Sequence, residues 1–147
     1  MELTNLKDLK ILLEKHGIWA KKRFGQNFLI NRNILEKIIK TGEVSDKDII
    51  LEIGPGPGVL TQELCKKAKK VICIEMDREV IPLLQESTNE FQNKEILQED
   101  GLKYEPTETN YKLIANLPYN VATAIIRSFL FKKNKPSLMV VMTQLEV

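Results

Sequence analysis

The sequence predicts an α/β domain with a doubly wound, mainly parallel β-sheet and an N-terminal helical arm. Short apolar runs alternate with segments of helical periodicity from residue 48 onward, a pattern typical of strand–helix–strand units. Glycine-rich or polar motifs follow several of these runs, and the carboxyl ends of parallel strands meet at one edge of a sheet. The chain has 147 residues, enough to bury one core, so we expect a single domain.

Residues 1–45 are predicted to form N-terminal helices and an arm, followed by an α/β core over residues 46–147. Leu6, Leu9 and Leu13 recur at helical spacing, which predicts an amphipathic helix over residues 5–15. Residues 17–30 are expected to be an irregular arm. Asn31 is placed to cap a second helix that runs through Thr41.

Five strands are predicted in the core, at residues 48–53, 71–77, 95–98, 111–115 and 137–144. The helices between them are predicted from residue 59, over residues 78–91 and over residues 121–131. The fifth strand is expected at an edge of the sheet. Its unpaired side favours association with another chain.

Composition and charge limit the classes of protein to which this chain can belong. No apolar run is long enough to cross a membrane, and the formal net charge is only +2. Cys65 and Cys73 are not spaced as a Cys-x-x-Cys motif, and no signal peptide is recognisable, so we expect a reducing cytoplasm. The single histidine, His16, has no predicted ligand partners, so no metal site is expected.

Although positive and negative charges are nearly balanced over the whole chain, basic residues are concentrated in three clusters. Residues 21–23 read Lys-Lys-Arg and adjoin a site motif, so they are the best candidate for phosphate contact. The lysines of residues 66–70 are interpreted as a solvated helix end. Those of residues 132–135 are interpreted as a polar loop.

Residues 54–58 read Gly-Pro-Gly-Pro-Gly and lie between a predicted strand and a predicted helix. Strand, glycine turn and helix form the geometry of nucleotide-type cofactor sites, because glycine lets a ligand approach the backbone closely. The G-x-G-x-G spacing disfavours a dinucleotide and suits a cofactor without a pyrophosphate, such as S-adenosyl-L-methionine. A purely structural turn is the alternative.

Acidic residues end the next two predicted strands. Glu75 comes about 20 residues after the glycine turn, where a carboxylate can accept the hydroxyl protons of a ribose. Met76 can pack on an adenine face, and Asp100 can accept a hydrogen bond from an adenine amine. The alternatives are that Glu75 or Asp77 begins the next helix, and that Asp100 and Gly101 form an ordinary turn.

Residues 116–120 read Asn-Leu-Pro-Tyr-Asn and follow the fourth apolar run. The Asn116 side-chain oxygen and the carbonyl of Leu117 or Pro118 can accept hydrogen bonds from an exocyclic amine, and the Tyr119 ring can stack on a base. Such a pocket favours a nucleophilic adenine N6. The alternative is a turn that ends the strand, since asparagine and proline are common turn residues.

Together these motifs resemble those of the ribosomal RNA adenine N6,N6-dimethyltransferases, most closely the branch that acts on small-subunit rRNA. The resemblance runs from about residue 10 to the last residue and rests on five short motifs in order, at residues 25–29, 52–56, 75–77, 99–100 and 116–120.

The resemblance implies a Rossmann-like methyltransferase fold with strand order 3-2-1-4-5, the S-adenosyl-L-methionine cofactor, and transfer of methyl groups to adenine N6 in an rRNA hairpin. The implied cofactor residues are Gln26, Asn27, Leu29, Gly54, Gly56, Glu75, Met76, Asp100, Gly101 and Asn116. The implied catalytic residues are Asn116, Leu117, Pro118 and Tyr119. The expected partner is ribosomal RNA in an immature small subunit, bound by a monomer.

The resemblance also implies further elements after the fifth strand, including a helical RNA-binding domain that this sequence lacks. Two alternatives to an active catalytic domain therefore stay open. One is a cofactor-binding fragment with little activity of its own. The other is an rRNA-binding assembly factor on the same fold.

Overall fold

The structure, a computed structural model, describes residues 1–18 and 31–144. It contains five helices and five strands in this part of the chain. The helices are α1 (Leu6–Lys15), α2 (Arg32–Thr41), α3 (Val59–Lys67), α4 (Ile81–Ser87) and α5 (Tyr119–Leu130). The strands are β1 (Ile49–Ile53), β2 (Lys70–Ile74), β3 (Lys94–Leu97), β4 (Lys112–Pro118) and β5 (Leu138–Gln144).

The strands form one parallel sheet in the order β3-β2-β1-β4-β5. The predicted α/β class, the doubly wound parallel sheet and the order 3-2-1-4-5 are therefore confirmed. β1 lies at the centre, next to β2 on one side and β4 on the other. The crossover connections change direction between β1 and β4. Open α/β sheets bind ligands at such a point, outside the carboxyl ends of the strands.

Two apolar clusters cover the two faces of the sheet. Helices α1, α2, α3 and α4 pack on one face, where Ile50, Cys73 and Ile114 point into the core. Helix α5 packs on the other through Ala122 and Phe129. The alternation of buried side chains along each strand explains why the apolar runs are nearly continuous, as expected for strands covered on both faces.

Local sequence determines the beginning of both N-terminal helices. The Asn5 side chain accepts a hydrogen bond from the Lys7 amide at 3.0 Å. The Asn31 side chain accepts bonds from the amides of Asn33 and Ile34, and α2 ends at Thr41 as predicted. These caps satisfy amide groups that have no partner within the helix.

Three predicted elements differ from the structure. The strand predicted over residues 71–77 ends at Ile74, so Glu75, Met76 and Asp77 follow the strand. The helix predicted over residues 78–91 is confined to Ile81–Ser87. At its start, the Asp77 side chain accepts a hydrogen bond from the Glu79 amide at 2.9 Å. Residues 77–79 therefore form a separate turn and not the first turn of the helix. At its end, the Thr88 hydroxyl donates to the Leu84 carbonyl at 2.6 Å, and further turns follow.

The third difference concerns residues 116–118, which we expected to follow the fourth strand. They continue β4, and the pairing with β5 extends to Pro118 opposite Gln144. The interpretation of these residues as a turn that ends the strand is therefore wrong. Burial of Leu117 and the long neighbouring strand outweigh the turn preference of asparagine and proline.

Candidate cofactor and target-base site

The predicted site motifs in the described residues all lie at one edge of the sheet. The glycine turn follows β1, Glu75 and Met76 follow β2, and Asp100 comes shortly after β3. Asn116 lies near the end of β4, and Tyr119 begins α5. Parallel pairing brings these strand ends together, although they are separated by up to about 65 residues along the chain. Gln26, Asn27 and Leu29 lie outside the described residues, as do residues 21–23.

The glycine turn requires glycine at three positions. Gly54, Gly56 and Gly58 have φ angles of +66°, +57° and +97°, a region in which a side chain is strained. A Cβ atom at Gly56 would have no neighbour within 4 Å, so this part of the backbone faces open space. The turn therefore exposes backbone that a ligand can approach closely.

Leu117 and Gly54 join the β4 segment directly to the glycine turn. The Leu117 Cδ2 atom lies 3.1 Å from the position that a Cβ atom would take at Gly54. Leu117 is buried and belongs to the same apolar cluster as Ile53. The absence of a side chain at Gly54 thus lets the two segments pack together, and the residues on either side of Leu117 lie beside the turn.

Glu75 lies behind the glycine turn with its carboxylate mostly buried. One oxygen accepts a hydrogen bond from the Gly56 amide at 3.2 Å, and the other accepts one from the Asp77 amide at 3.0 Å. Burial raises the pKa of this carboxyl, while these two backbone bonds act to lower it. A carboxylate has about four acceptor positions, so Glu75 retains acceptor capacity toward ligand hydroxyl groups.

Met76 and Asp100 flank this carboxylate. The Met76 side chain is 66% exposed, which is unusual for methionine and leaves it available to cover an aromatic ring. Asp100 is half-buried and accepts a bond from the Leu102 amide at 3.0 Å. This hydrogen bond belongs to the turn that the sequence indicated as the alternative interpretation. It uses only the Oδ1 atom of the Asp100 carboxylate.

Gly101 is placed against β1. A Cβ atom there would lie 2.7 Å from Cγ2 of Ile53, so a side chain would push the β3 loop away from the strand. Gly101 therefore fixes how closely the Asp100 turn approaches the glycine turn. Its role in this structure is close packing.

Asn116 and Tyr119 differ in their exposure. Asn116 is half-buried in β4 opposite Met142 of β5, and Pro118, two residues further on, ends the strand. The Tyr119 side chain is 58% exposed at the first position of α5. An exposed aromatic ring three residues after a half-buried amide is a combination that can stack on a base and hydrogen-bond its edge.

Sequence reasoning assigned no role to Glu52, although it lies within a quoted motif. Glu52 is only 2% exposed, and its carboxyl accepts a 2.6 Å hydrogen bond from the Thr61 hydroxyl. Burial raises the pKa of Glu52 to about 8, against the effect of the Thr61 bond. A charged residue inside an apolar run was the available signal, because such a residue requires a partner. The bond ties β1 to α3 across the glycine turn.

Gln62 and Ser87 were also missed, and they brace the turn from behind. The Ser87 hydroxyl donates to the Pro57 carbonyl at 2.6 Å. The Gln62 amide donates to the Ser87 carbonyl at 2.7 Å and to the Met1 carbonyl at 3.1 Å, and it accepts from the Leu3 amide at 3.3 Å. The contacts join residues far apart in the chain, so no local pattern indicated them.

The remaining titratable groups give no metal site in the described residues. No group of three histidine, cysteine or acidic side chains is close enough to hold an ion there. Cys65 and Cys73 are buried thiols, and burial raises the pKa of both. His16 instead contacts Glu86 at 2.7 Å. Across residues 1–18 and 31–144, none of the helices has the length and apolar character of a membrane span.

Comparison with known proteins identifies the family to which this chain is similar. The family model described as ribosomal RNA adenine dimethylase matches residues 18–147. The chain is 42% identical to Ribosomal RNA small subunit methyltransferase A of Dehalococcoides mccartyi and 41% identical to the protein of that name from Clostridium botulinum, in each case over 94% of this chain. It spans 49% and 52% of these relatives, about half of their length.

Solved structures agree with this relationship. The 23S rRNA methyltransferase ErmE superposes with a TM-score of 0.73 at 30% identity, covering 81% of this chain and 48% of ErmE. A dimethyladenosine transferase from Plasmodium falciparum superposes with a TM-score of 0.68 at 32% identity, covering 78% of this chain and 42% of that one. The predicted Rossmann-like fold and the predicted family are both confirmed, and the chain belongs to the ribosomal RNA adenine dimethylase family.

Proposed function

We propose that this chain binds S-adenosyl-L-methionine and carries out methyl transfer to adenine N6 in small-subunit ribosomal RNA, giving N6-dimethyladenosine. Membership of the adenine dimethylase family supports the reaction. The name shared by its curated relatives supports the choice of small-subunit RNA.

The contact between Leu117 and Gly54 is the observation that carries the proposal. Leu117 lies between the amide and the aromatic ring that suit a base, and Gly54 begins the turn that suits a cofactor. A base held at residues 116–119 would therefore lie next to a ligand held at the glycine turn. Methyl transfer requires this proximity, because the reacting atoms have to approach in line at about 3 Å.

The residues present fit the proposed cofactor. Open space beside Gly56 leaves room for a ligand against the backbone, and the buried Glu75 carboxylate has acceptor capacity left for a ribose. Asp100 and the exposed Met76 suit an adenine amine and an adenine face. The proposed binding set is Gly54, Gly56, Glu75, Met76, Asp100, Gly101 and Asn116, with Gln26, Asn27 and Leu29 from the undescribed segment.

The chain's own residues would prepare the target base. The Asn116 side-chain oxygen and the carbonyl of Leu117 or Pro118 would accept the two N6 hydrogens, which favours a pyramidal nitrogen with an available lone pair. The Tyr119 ring would stack on the base after it leaves its own stack. When bound, S-adenosyl-L-methionine supplies an electrophilic methyl group. Positioning and exclusion of water are then the protein's main contributions, together several kcal/mol of barrier.

We further propose that residues 1–147 form one cofactor-binding domain, with helices and an arm in residues 1–45 and the α/β core in residues 46–147. The proposed partner is immature small-subunit RNA, and the proposed location is the cytoplasm, where that RNA is assembled. We propose a monomer. The outer side of β5, which ends the sheet, is the place where copies would associate.

Single-turnover methylation tests the proposal. An excess of the chain over in-vitro-transcribed small-subunit rRNA, with labelled S-adenosyl-L-methionine, should place label on adenosine N6, and Asn116→Ala should slow this labelling. Cofactor binding without any transfer would instead favour the cofactor-binding fragment. Label on any atom other than adenosine N6 would contradict the proposed reaction.

A further inference from the structure

The edge of the sheet opposite the candidate site is rich in lysine. Strand beginnings and helix ends meet there, because the strands are parallel and the helices return antiparallel to them. Six exposed lysines lie on this edge, which we call the lysine edge. They are Lys40 at the end of α2, Lys47 before β1, Lys67 and Lys69 between α3 and β2, and Lys133 and Lys135 before β5.

Ion pairing leaves this edge positive. Most of its acidic residues already hold other lysines: Asp48 pairs with Lys112, Glu95 and Glu108 pair with Lys70, and Glu105 pairs with Lys132. None of the six lysines of the lysine edge forms an ion pair with another residue in the described ranges. On the acidic side, Glu43, Asp46 and Glu90 lie on this edge without such a pair in the described residues.

The lysine clusters match the solvated helix end and the polar loop that the sequence indicated only in part. Lys66 and Lys67 belong to the last turn of α3, but Lys69 lies beyond it and Lys70 begins β2. Lys132 is 8% exposed and lies over the Phe129 ring, 4.9 Å from its centroid. Lys133 and Lys135, by contrast, are exposed.

The edge that carries the candidate site has the opposite charge in the described residues. Five acidic residues line it, against Arg78 and Lys103. They are Glu75, Asp77, Glu79, Glu99 and Asp100. A polyanion is thus not drawn to the described part of this edge by charge. The two edges are separated by the length of the strands, roughly 15–20 Å at about 3.3 Å per residue.

An exposed aromatic side chain adds a second kind of contact. Phe131 caps the end of α5 on the lysine edge, and its side chain is 81% exposed. A phenylalanine of this exposure has little packing to lose and presents its face to a base. Lysines around an exposed ring are a combination that suits single-stranded nucleic acid.

We propose that the lysine edge binds a second segment of ribosomal RNA, separate from the segment that carries the methylated adenosine. The proposal rests on the proposed rRNA substrate and adds where a further part of that RNA is held. From β2 to β5 the sheet spans three strand spacings, roughly 15 Å, so the lysines can contact several phosphates. Phe131 stacks on an unpaired base beside them.

Two double variants remove charge from opposite ends of the lysine edge, Lys67→Gln/Lys69→Gln and Lys133→Gln/Lys135→Gln. The matched control, Lys7→Gln/Lys10→Gln, removes the same charge from exposed positions of α1. Affinity for in-vitro-transcribed small-subunit rRNA is measured by filter binding across a range of salt. Each edge variant should bind about tenfold more weakly near 100 mM salt, with a log–log salt slope lower by about two. The control should change neither.

Phe131→Leu separates stacking from charge. It should weaken rRNA binding several-fold without changing the salt slope, because it removes no phosphate contact. Hydroxyl-radical footprinting then locates the contact: the edge variants should lose protection of one rRNA segment and keep protection around the methylated adenosine.

Equal losses in the edge and control variants would overturn the proposal, since net charge alone would explain them. Loss of protection at the methylated adenosine would overturn it as well. Unchanged rRNA affinity in both edge variants would overturn it and point to an acidic protein surface as the partner of this edge. Failure of the proposed function would be detected by a separate measurement, because the unmodified chain would then not bind S-adenosyl-L-methionine.

Discussion

The hydroxyl oxygen of Ser87 lies 2.7 Å from the position that a Cβ atom would take at Gly58. Ser87 ends α4, and Gly58 is the last glycine of the turn after β1. The same hydroxyl donates to the Pro57 carbonyl at 2.6 Å. The shape of the turn therefore depends on a helix that lies 29 residues further along the chain.

Gly58→Ala should destabilise the protein by about 2–5 kcal/mol. A positive φ costs an alanine about 1–2 kcal/mol, and the forced contact with Ser87 adds about 1–3 kcal/mol. Gly17→Ala is the matched control, because Gly17 has a φ of +69° and no atom within 4 Å of its Cβ position. Urea unfolding measures both. Equal losses would show that Ser87 does not brace the turn.

Gly56→Ala should separate stability from cofactor binding. Its φ of +57° is close to that of Gly17, and neither Cβ position has a neighbour within 4 Å. The two alanine variants should therefore lose similar stability, about 1–2 kcal/mol each. Only Gly56→Ala should lose affinity for S-adenosyl-L-methionine, by tenfold or more, because its methyl group takes space that the ligand needs. If calorimetric titration gave the two alanine variants similar affinities for S-adenosyl-L-methionine, the ligand would not lie against the glycine turn.

Glu52→Gln should remove part of the pH dependence of stability. The pKa of Glu52 is raised to about 8 from an ordinary 4.5, so between these values the folded chain binds a proton that the unfolded chain lacks. Stability conferred by the neutral carboxyl is present at low pH and is lost as the pH rises from about 4.5 to 8, with a slope of up to about 1.4 kcal/mol per pH unit.

The glutamine variant keeps an acceptor for the Thr61 hydroxyl and does not ionise. Relative to the variant, the unmodified chain should become progressively less stable between pH 5 and pH 8. Denaturant unfolding at several pH values provides the comparison. Parallel stability curves would mean that Glu52 titrates normally.

Asn116→Ala and Tyr119→Ala should slow methyl transfer much more than they weaken cofactor binding, because both side chains are proposed to hold the target base. Loss of base stacking at Tyr119 should cost about 1–3 kcal/mol, and Tyr119→Phe should retain most of the rate. Single-turnover rates with saturating cofactor measure the effect. A loss of rate that only matches the loss of cofactor affinity would restrict Asn116 to the cofactor site or to a structural role, without contact to the target base.

Local patterns were enough to predict the order of the elements and most of the site. Asn31 caps α2 by itself, and the glycine turn follows from its own five residues. The position of Glu75 after β2 follows from the apolar run before it. Parallel pairing then places the strand ends together without further information.

Contacts between distant residues could not be read from the sequence. Gln62 bonds to residues 25 and 61 positions away, and the fit of Leu117 against Gly54 depends on the packing of two strands. Residues 116–118 were expected to follow a strand because the β5 pairing that extends β4 lies beyond them in the chain. Tertiary pairing overrides turn preference in such cases.

The central claim is that the edge formed by the glycine turn, Glu75 and Asp100 binds S-adenosyl-L-methionine. Calorimetric titration of the chain with S-adenosyl-L-methionine and with NAD tests this claim most directly. We predict binding of S-adenosyl-L-methionine but not of NAD, with affinity reduced in Glu75→Ala by about 1–3 kcal/mol, the value of hydrogen bonds to a charged group. Binding of NAD without binding of S-adenosyl-L-methionine would contradict the claim.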